Sequence, residues 1–308
     1  MTANRAGTVA VFSPNPLLNI TIEARGGTDD IHVHPGGQGV WVARTAGELG
    51  AEPVLCGFVG GEPGELLRPL LESLPGQQRL VQTASPTGSS VVDRRDGQRK
   101  VLASAWGEAP TRHELDDLFS VATAAALESD VLAVCNPWPG DLLPLELYEN
   151  LVADARANGV KVMVDLSTPR LDSALRGGPD LVKINDWELA EYVSGPVDGE
   201  RLRESATLLL ERGAGAVVIT RGAEPALAIE SDRAWTIVPP RLERGFREGC
   251  GDSMLGAMAA AMADGAPLER ALALGAGAGA ACFLRHGLGS ARREVIERLT
   301  EQVEVRAA

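Results

Sequence analysis

The chain has 308 residues, 44% hydrophobic and 23% charged, with a formal net charge of -13 at pH 7. This is the composition of an ordinary soluble globular protein of one large domain or two. The acidic balance, with no run of Lys or Arg, argues against a nucleic-acid surface, and no apolar stretch is long enough to span a bilayer. Cys56, Cys135, Cys250 and Cys282 lie far apart and mostly in apolar runs. They predict core thiols in a reducing cytoplasm rather than a disulfide frame or a metal site. The N-terminal MTANRAGTVAVF lacks the apolar core of a signal peptide.

Residues 8–12 (TVAVF) predict a buried strand, broken by Ser13-Pro14-Asn15-Pro16. Residues 17–23 alternate apolar and polar, as a half-exposed strand does, and His32-Val33-His34 can pair with it as an edge hairpin. Pro35 to Gly39 is a tight turn, and 40–49 reads as a helix closed by Gly50. A strand follows over 54–59 and a helix over 65–74. Two short strands, 87–92 and 99–104, turn at Arg95-Asp96-Gly97. An Ala/Leu-rich helix over 114–128 leads into a buried strand, 130–135, which stops at Asn136-Pro137-Trp138-Pro139-Gly140.

Strand and helix then alternate. Helices are predicted over 145–158, from 188–193 and over 201–212, with strands at 161–165, 181–184 and 216–220. A hairpin follows at 226–230 and 234–238, and the last third is helical over 253–263, 268–286 and 292–303. This alternation predicts an α/β fold, a mainly parallel sheet with helices on both faces. Ligands then sit at the C-terminal ends of the strands. With no fixed-period repeat and no long linker, residues 1–308 read as a single domain.

Three stretches carry chemistry. Gly249-Cys250-Gly251-Asp252-Ser253 runs straight into the helix of 253–263. A helix start leaves N–H groups unpaired and carries the positive end of the dipole, and glycines let an anion reach the bare backbone. An acid in the first turn can take a proton from a hydroxyl beside that anion. The same residues also suit an Asp cap on a packing helix, and alone they leave both readings open. Asn185 and Glu188, in Lys183-Ile184-Asn185-Asp186-Trp187-Glu188, have the spacing of a helix cap. Thr220-Arg221-Gly222 ends a strand in a loop, where Arg221 can reach a phosphate or stay solvated. Gly275, Gly277 and Gly279 follow no strand, so they suit helix packing rather than a dinucleotide fingerprint, and no P-loop is present.

With these motifs in place, the sequence resembles the ribokinase-like (PfkB) carbohydrate kinase family over essentially its whole length. The family's C-terminal Gly-Ala-Gly-Asp-Ser stands here as Gly249 to Ser253, with Cys250 for Ala. Its N-terminal glycine signature stands as Pro35-Gly36-Gly37-Gln38-Gly39, followed by VWVARTAGELG. The resemblance implies a three-layer α-β-α fold with a small β-sheet lid contributed from about 17–35 and 87–105. It implies an ATP-dependent kinase that moves the γ-phosphoryl group to a hydroxyl of a sugar or sugar phosphate. Asp252 would be the general base, and Gly249, Cys250 and Gly251 the anion hole. Asn185 and Glu188 would serve Mg2+, an ion that takes oxygen ligands. Thr220, Arg221, Gly222, Gly251, Ser253 and Gly277 would face the nucleotide. Asn19, Gly36, Gly37, Gln38, Trp41 and Asp252 would face the acceptor. Related kinases often pair through the lid, which implies a possible homodimer.

Phe12, Asn15, Pro16 and the LVKIN stretch look most like the 1-phosphofructokinase and tagatose-6-phosphate kinase branch. Several acceptor-side positions depart from it. The branch's Asp is Asn19, its glycine-motif Lys is Gln38, a following Asn is Trp41, and an Arg near the lid is Gly88. The Ser-Gly-Ser-Leu-Pro segment keeps only its Pro-Gly end at Asn136 to Gly140. The changes at 38 and 88 remove two cations that could pair with a sugar phosphate, and Trp41 adds an apolar face that can stack on a ring. The alternatives are therefore a kinase of an unphosphorylated sugar or nucleoside, or a kinase-like binding protein without catalysis. A dinucleotide-dependent oxidoreductase lacks its strand-Gly-x-Gly-x-x-Gly-helix unit.

Overall fold

The computed structural model describes residues 5–140, 142–285 and 290–308. In β1 (Thr8–Phe12), Ala10 and Phe12 point to one core and Val9 and Val11 to another. A strand buried on both faces must be apolar throughout, so its run lacks the polar alternation of an exposed strand. The hairpin β2 (Leu17–Arg25) and β3 (Thr28–Gly36) leads to α1 (Gln38–Glu48), β4 (Glu52–Gly60), α2 (Gly61–Glu72) and β5 (Gln77–Thr83). Next come β6 (Ser89–Asp93), β7 (Lys100–Ala105), α3 (Arg112–Leu127), β8 (Val131–Cys135) and α4 (Leu145–Ala157). Then follow β9 (Lys161–Asp165), α5 (Arg170–Arg176), β10 (Leu181–Asn185), α6 (Asp186–Tyr192) and α7 (Gly199–Glu211). The chain continues with β11 (Val217–Arg221), β12 (Glu224–Ile229), β13 (Ala234–Val238), α8 (Cys250–Ala263), α9 (Leu268–Phe283), α10 (Arg293–Thr300) and β14 (Glu304–Ala307).

A ten-stranded sheet has the order β14-β13-β12-β11-β10-β9-β8-β1-β4-β5, parallel from β5 to β11 and antiparallel beyond. One face is covered by α3, α4, α5 and α7, and the other by α1, α2, α8 and α9. A second, small sheet has the order β3-β2-β6-β7, and we refer to it as the lid sheet after the expectation above. Its edge strand β7 is exposed along its whole length.

Several elements differ from their prediction. The strand β5 was not expected, because QQRLVQT is polar and becomes a strand by pairing in parallel with β4. Nor was β14, where four residues are held by antiparallel pairing with β13. The last helix therefore stops at Thr300 rather than running to 303. The helix α9 ends at Phe283, and residue 286 lies outside the described residues. Such short segments take their form from tertiary pairing, which overrides propensity.

The helix α8 is buried on nearly every side from Ser253 to Ala261. It crosses α1 closely because Gly256 has no side chain. A Cβ there would collide with the Val42 carbonyl and stand 3.1 Å from Thr45 Cβ. This contact fixes the height of the N-terminal turn of α8. Gly256→Val should therefore destabilise the protein by about 1–3 kcal/mol, as overpacked cores do. Thermal unfolding checks this, and a midpoint unchanged within about 1 °C would refute the close crossing.

Candidate active site

Strands β8, β9 and β10 end side by side at Cys135, Asp165 and Asn185. The register of β9 and β10 pairs Val182 with Val164. It thereby sets Lys183 beside Asp165, with Nζ 2.5 Å from Oδ2. Both residues are buried, at 4% and 3% exposure. Burial pushes the Lys183 pKa down, but the charges of Asp165 and Asp252 outweigh it and hold it above the usual lysine value. The ammonium lies against the first turn of α8, where a Cβ on Gly251 would stand 2.7 Å from Nζ. Only glycine fits there without displacing the lysine.

Asp252 is in that first turn. Burial, and next the nearby charge of Asp165, push its carboxyl up to about 7, against Lys183 and a hydrogen bond from the Gln38 side chain. Gln38 also accepts the Asn136 N–H, at 2.6 Å. The helix cap Gly249 has φ 76°, a left-handed conformation that favours glycine. The Cys250 N–H is already bonded to the Arg247 carbonyl at 3.3 Å, so one of the three expected anion-hole amides is engaged. The Cys250 thiol is held far above its usual pKa by its hydrogen bond to Cys282 and by burial, so it stays protonated at neutral pH. Ser253 Oγ is buried with no hydrogen-bond partner.

Asn185 and Glu188 form a capping box on α6, with Glu188 N–H to Asn185 Oδ1 at 2.9 Å and Asn185 N–H to Glu188 Oε2 at 3.2 Å. The cap engages one oxygen of each side chain. Burial and the charge of Asp165 raise the Glu188 pKa. Among the described residues, no group of three or more His, Cys, Asp or Glu is arranged to hold a metal ion. Thr220 and Arg221 end β11, and Gly222 turns the hairpin at φ 63°. Arg221 Nη1 donates to the Pro225 carbonyl at 3.4 Å, while its buried Nε has no partner. Gly277 requires a correction. It is buried under α10, where a Cβ would stand 2.9 Å from Thr300 Cα, so this glycine serves helix packing and does not face a nucleotide.

Among the residues expected to face the acceptor, Asn19 accepts a hydrogen bond from Ser90 Oγ at 2.8 Å and occupies the space that a side chain on Gly36 would need. Gly37 has φ 102° and starts α1, which puts Gln38 in its first turn. Trp41, on α1, packs against the core and lines neither cavity described below. At Gly88 a Cβ would stand 2.8 Å from Leu17 Cδ2 and 3.1 Å from the Trp106 ring, so these two side chains fill the place of the missing one. Trp106 meets Trp138 edge to face at 6.3 Å. The Asn15 side chain holds the Trp138 backbone, accepting its N–H at 3.0 Å and donating to its carbonyl. These residues border a small cavity of about 40 Å³. A second cavity, about 380 Å³, is lined by Asn136, Trp138, Ser167, Arg170, Trp187 and Glu188, among others. The lid is tied down by Arg94, whose Nη2 lies 2.5 Å from Glu248, just before Gly249.

Sequence reasoning assigned no role to Asp165, Lys183, Asn136 or Arg170. A signal existed for the first two. A lysine inside LVKIN and an aspartate closing KVMVD are charges in otherwise apolar strands, and buried charges need partners.

The chain matches the pfkB family carbohydrate kinases over residues 23–294. It is 30% identical to the ATP-dependent 6-phosphofructokinase isozyme 2 of Escherichia coli over 261 residues, which cover 82% of each chain. It is 29% identical to the 1-phosphofructokinase of Rhodobacter capsulatus over 293 residues, 87% of this chain and 90% of that one. The crystal structure of phosphofructokinase-2 from Escherichia coli in complex with potassium superposes with a TM-score of 0.83 at 26% identity, covering 96% of this chain and 99% of that one. Arabidopsis thaliana ribokinase shares the fold, with a TM-score of 0.76 at 19% identity over 96% of this chain and 99% of that one. A half-buried carboxyl at a glycine-rich helix start, at the C-terminal edge of a parallel sheet flanked by a second, small sheet, thus stands in a chain that belongs to the pfkB family of carbohydrate kinases.

Proposed function

We propose that this protein transfers the γ-phosphoryl group of ATP to a hydroxyl of a sugar phosphate, with Asp252 as general base. The observation that carries the reading is the half-buried carboxyl of Asp252 at the α8 start, with a pKa of about 7. A base poised near the working pH combines the right protonation state with a strong pull on the proton. Gln38 orients the carboxylate. The bare Cα of Gly251 admits the Lys183 ammonium to the first turn of α8, where its charge offsets the charge that builds up during transfer. Thr220, Arg221, Gly222 and Ser253 would face the nucleotide, and the unpartnered Arg221 Nε fits a polar contact to it. The oxygens of Asn185 and Glu188 suit a hydrated Mg2+, which would neutralise phosphate charge. The small cavity has no Lys or Arg in its lining. That favours a second reading, in which the acceptor is an unphosphorylated sugar or nucleoside. None of the four cysteines forms a disulfide, which suits work in the cytoplasm.

ADP release with ATP and Mg2+, across hexoses, hexose phosphates, pentoses and nucleosides, tests the proposal. Asp252→Asn should lower turnover by about 10²–10⁴-fold; full turnover in the variant would remove Asp252 as base. Wild-type kcat/KM should rise with pH and be half-maximal near pH 7, because only the ionised carboxyl of Asp252 accepts a proton.

The same carboxyl acts on stability. Its folded pKa of about 7 stands above the ordinary 3.8, so the folded state holds the proton more tightly than the unfolded chain. That contribution is complete below pH 4 and is lost as pH rises to about 7. Asp252→Asn should therefore stabilise the protein above neutrality by at most about 4 kcal/mol. The gain should vanish in acid, and urea unfolding at both pH values checks the sign.

We further propose that two copies pair through their lids. Ile31 and Val33 on β3 and Val101 and Leu102 on β7 are exposed apolar side chains on the two edge strands. Light scattering should give a dimeric mass that Ile31→Lys with Leu102→Lys halves; a monomeric wild type would end the proposal.

A further inference from the structure

We infer that the 380 Å³ cavity at the ends of β8, β9 and β10 is a phosphate-monoester subsite built on Arg170. Within the kinase reading above, it takes the phosphate that the acceptor already carries.

Arg170 is 8% exposed. Its Nε donates to Asn136 Oδ1 at 3.1 Å, Nη1 to the Gly140 carbonyl at 2.5 Å and Nη2 to Ser167 Oγ at 2.6 Å. All three acceptors are neutral, and among the described residues no carboxylate pairs with the guanidinium. A buried charge without a counter-charge is costly, and an anion in the cavity removes that cost. A guanidinium has five N–H donors. The three bonds leave one on each Nη, the fork that suits two phosphate oxygens. The space is cleared for it, since a Cβ on Gly140 would stand 2.5 Å from Nη1 and 2.9 Å from Nη2.

The alternatives for phosphate binding are closed. The lid-side cavity is lined by no Lys or Arg, and Trp106 fills the volume beside Gly88. Lys183 is committed to Asp165. Arg170 is the one Lys or Arg among the described residues lining either cavity. The cavity also contains two acids. Glu188 has an oxygen in the α6 cap, and burial disfavours its ionised form, whereas Glu191 is exposed to solvent. Trp138 and Trp187 supply flat apolar walls for a ring. The cavity volume is in the range of small-molecule sites. The subsite also shares one hydrogen-bond chain with the base, because Asn136, which accepts from Arg170, is held through its N–H by Gln38, which bonds Asp252.

The test uses wild type, Arg170→Met, Arg170→Lys and Gly140→Ala. Trp138 and Trp187 make tryptophan fluorescence the readout for titration with inorganic phosphate in the absence of ATP. Phosphate should give a saturable change in wild type that Arg170→Met abolishes. KM for hexose 1- or 6-phosphates should rise about 10–100-fold in Arg170→Met, the scale of charged hydrogen bonds. Arg170→Lys should fall between the two, and KM for ATP should stay within about twofold of wild type. If Arg170→Met does not fold, Gly140→Ala, which displaces the guanidinium without removing it, should show the same loss. Phosphate that competes with the acceptor assigns the subsite to the acceptor's own phosphate. Arg170-dependent binding without competition assigns it to a second phosphorylated ligand. An unchanged titration and unchanged KM in folded Arg170→Met or Gly140→Ala would overturn the inference. Arg170-dependent phosphate binding without turnover of any acceptor would leave the subsite standing while the transfer reading fails.

Discussion

The buried ion pair between Lys183 and Asp165 is the constraint on which the rest of the site depends. Two charges with 4% and 3% exposure lose most of their hydration, and a pair of this kind rarely adds net stability over an apolar pair. Its effect is on the geometry and charge around it. Because the ammonium rests against Gly251, the first turn of α8 can approach the sheet only with a glycine at that position. Because Asp252 faces one like charge and one opposite charge, its carboxyl settles near neutrality. Without Lys183, burial and Asp165 would be opposed at Asp252 by the Gln38 hydrogen bond alone. The pair thus couples the register of two strands to the proton affinity of the proposed base.

The lid is held to this centre at two points of different chemistry. Arg94 joins its β6 end to Glu248, beside the turn that opens α8. Trp106, which follows β7, packs over Gly88 and against Trp138. Gly88 therefore does more than lose a side chain: its missing volume is shared by Leu17 and the Trp106 indole, and a side chain at 88 would press on both.

What the sequence showed and what it hid divide along physical lines. The strand and helix alternation was legible because strands buried on both faces are uniformly apolar and helices keep their own period. Gly249 to Ser253 was legible because a left-handed residue and a close approach both demand glycine, and glycine leaves a visible mark. Lys183 and Asp165 were hidden because their pairing depends on register between strands eighteen residues apart. Asn185 and Glu188 have the same spacing as a cap or as oxygen ligands, and the cap is formed here. Gly277 misled for a related reason. A glycine in a helix marks a close approach without saying to what, and its partner, Thr300, lies on another helix. Arg170 was silent because an arginine in Ser-Thr-Pro-Arg reads as solvated, and only the folded loops bury it.

Gln38 shows how a residue that departs from the branch pattern can still serve the proposed base. Its amide donates to Asp252 while its carbonyl accepts the Asn136 N–H. A lysine there has three donors and no acceptor, so it would satisfy the carboxylate and abandon the Asn136 backbone. It would also bring a second cation to Asp252 and draw its pKa down, away from neutrality. The glutamine instead carries a hydrogen-bond chain from Asp252 through Asn136 to Arg170. If the proposed cation for the acceptor has moved from the glycine turn to the start of α5, a neutral residue able to both donate and accept is what position 38 then requires.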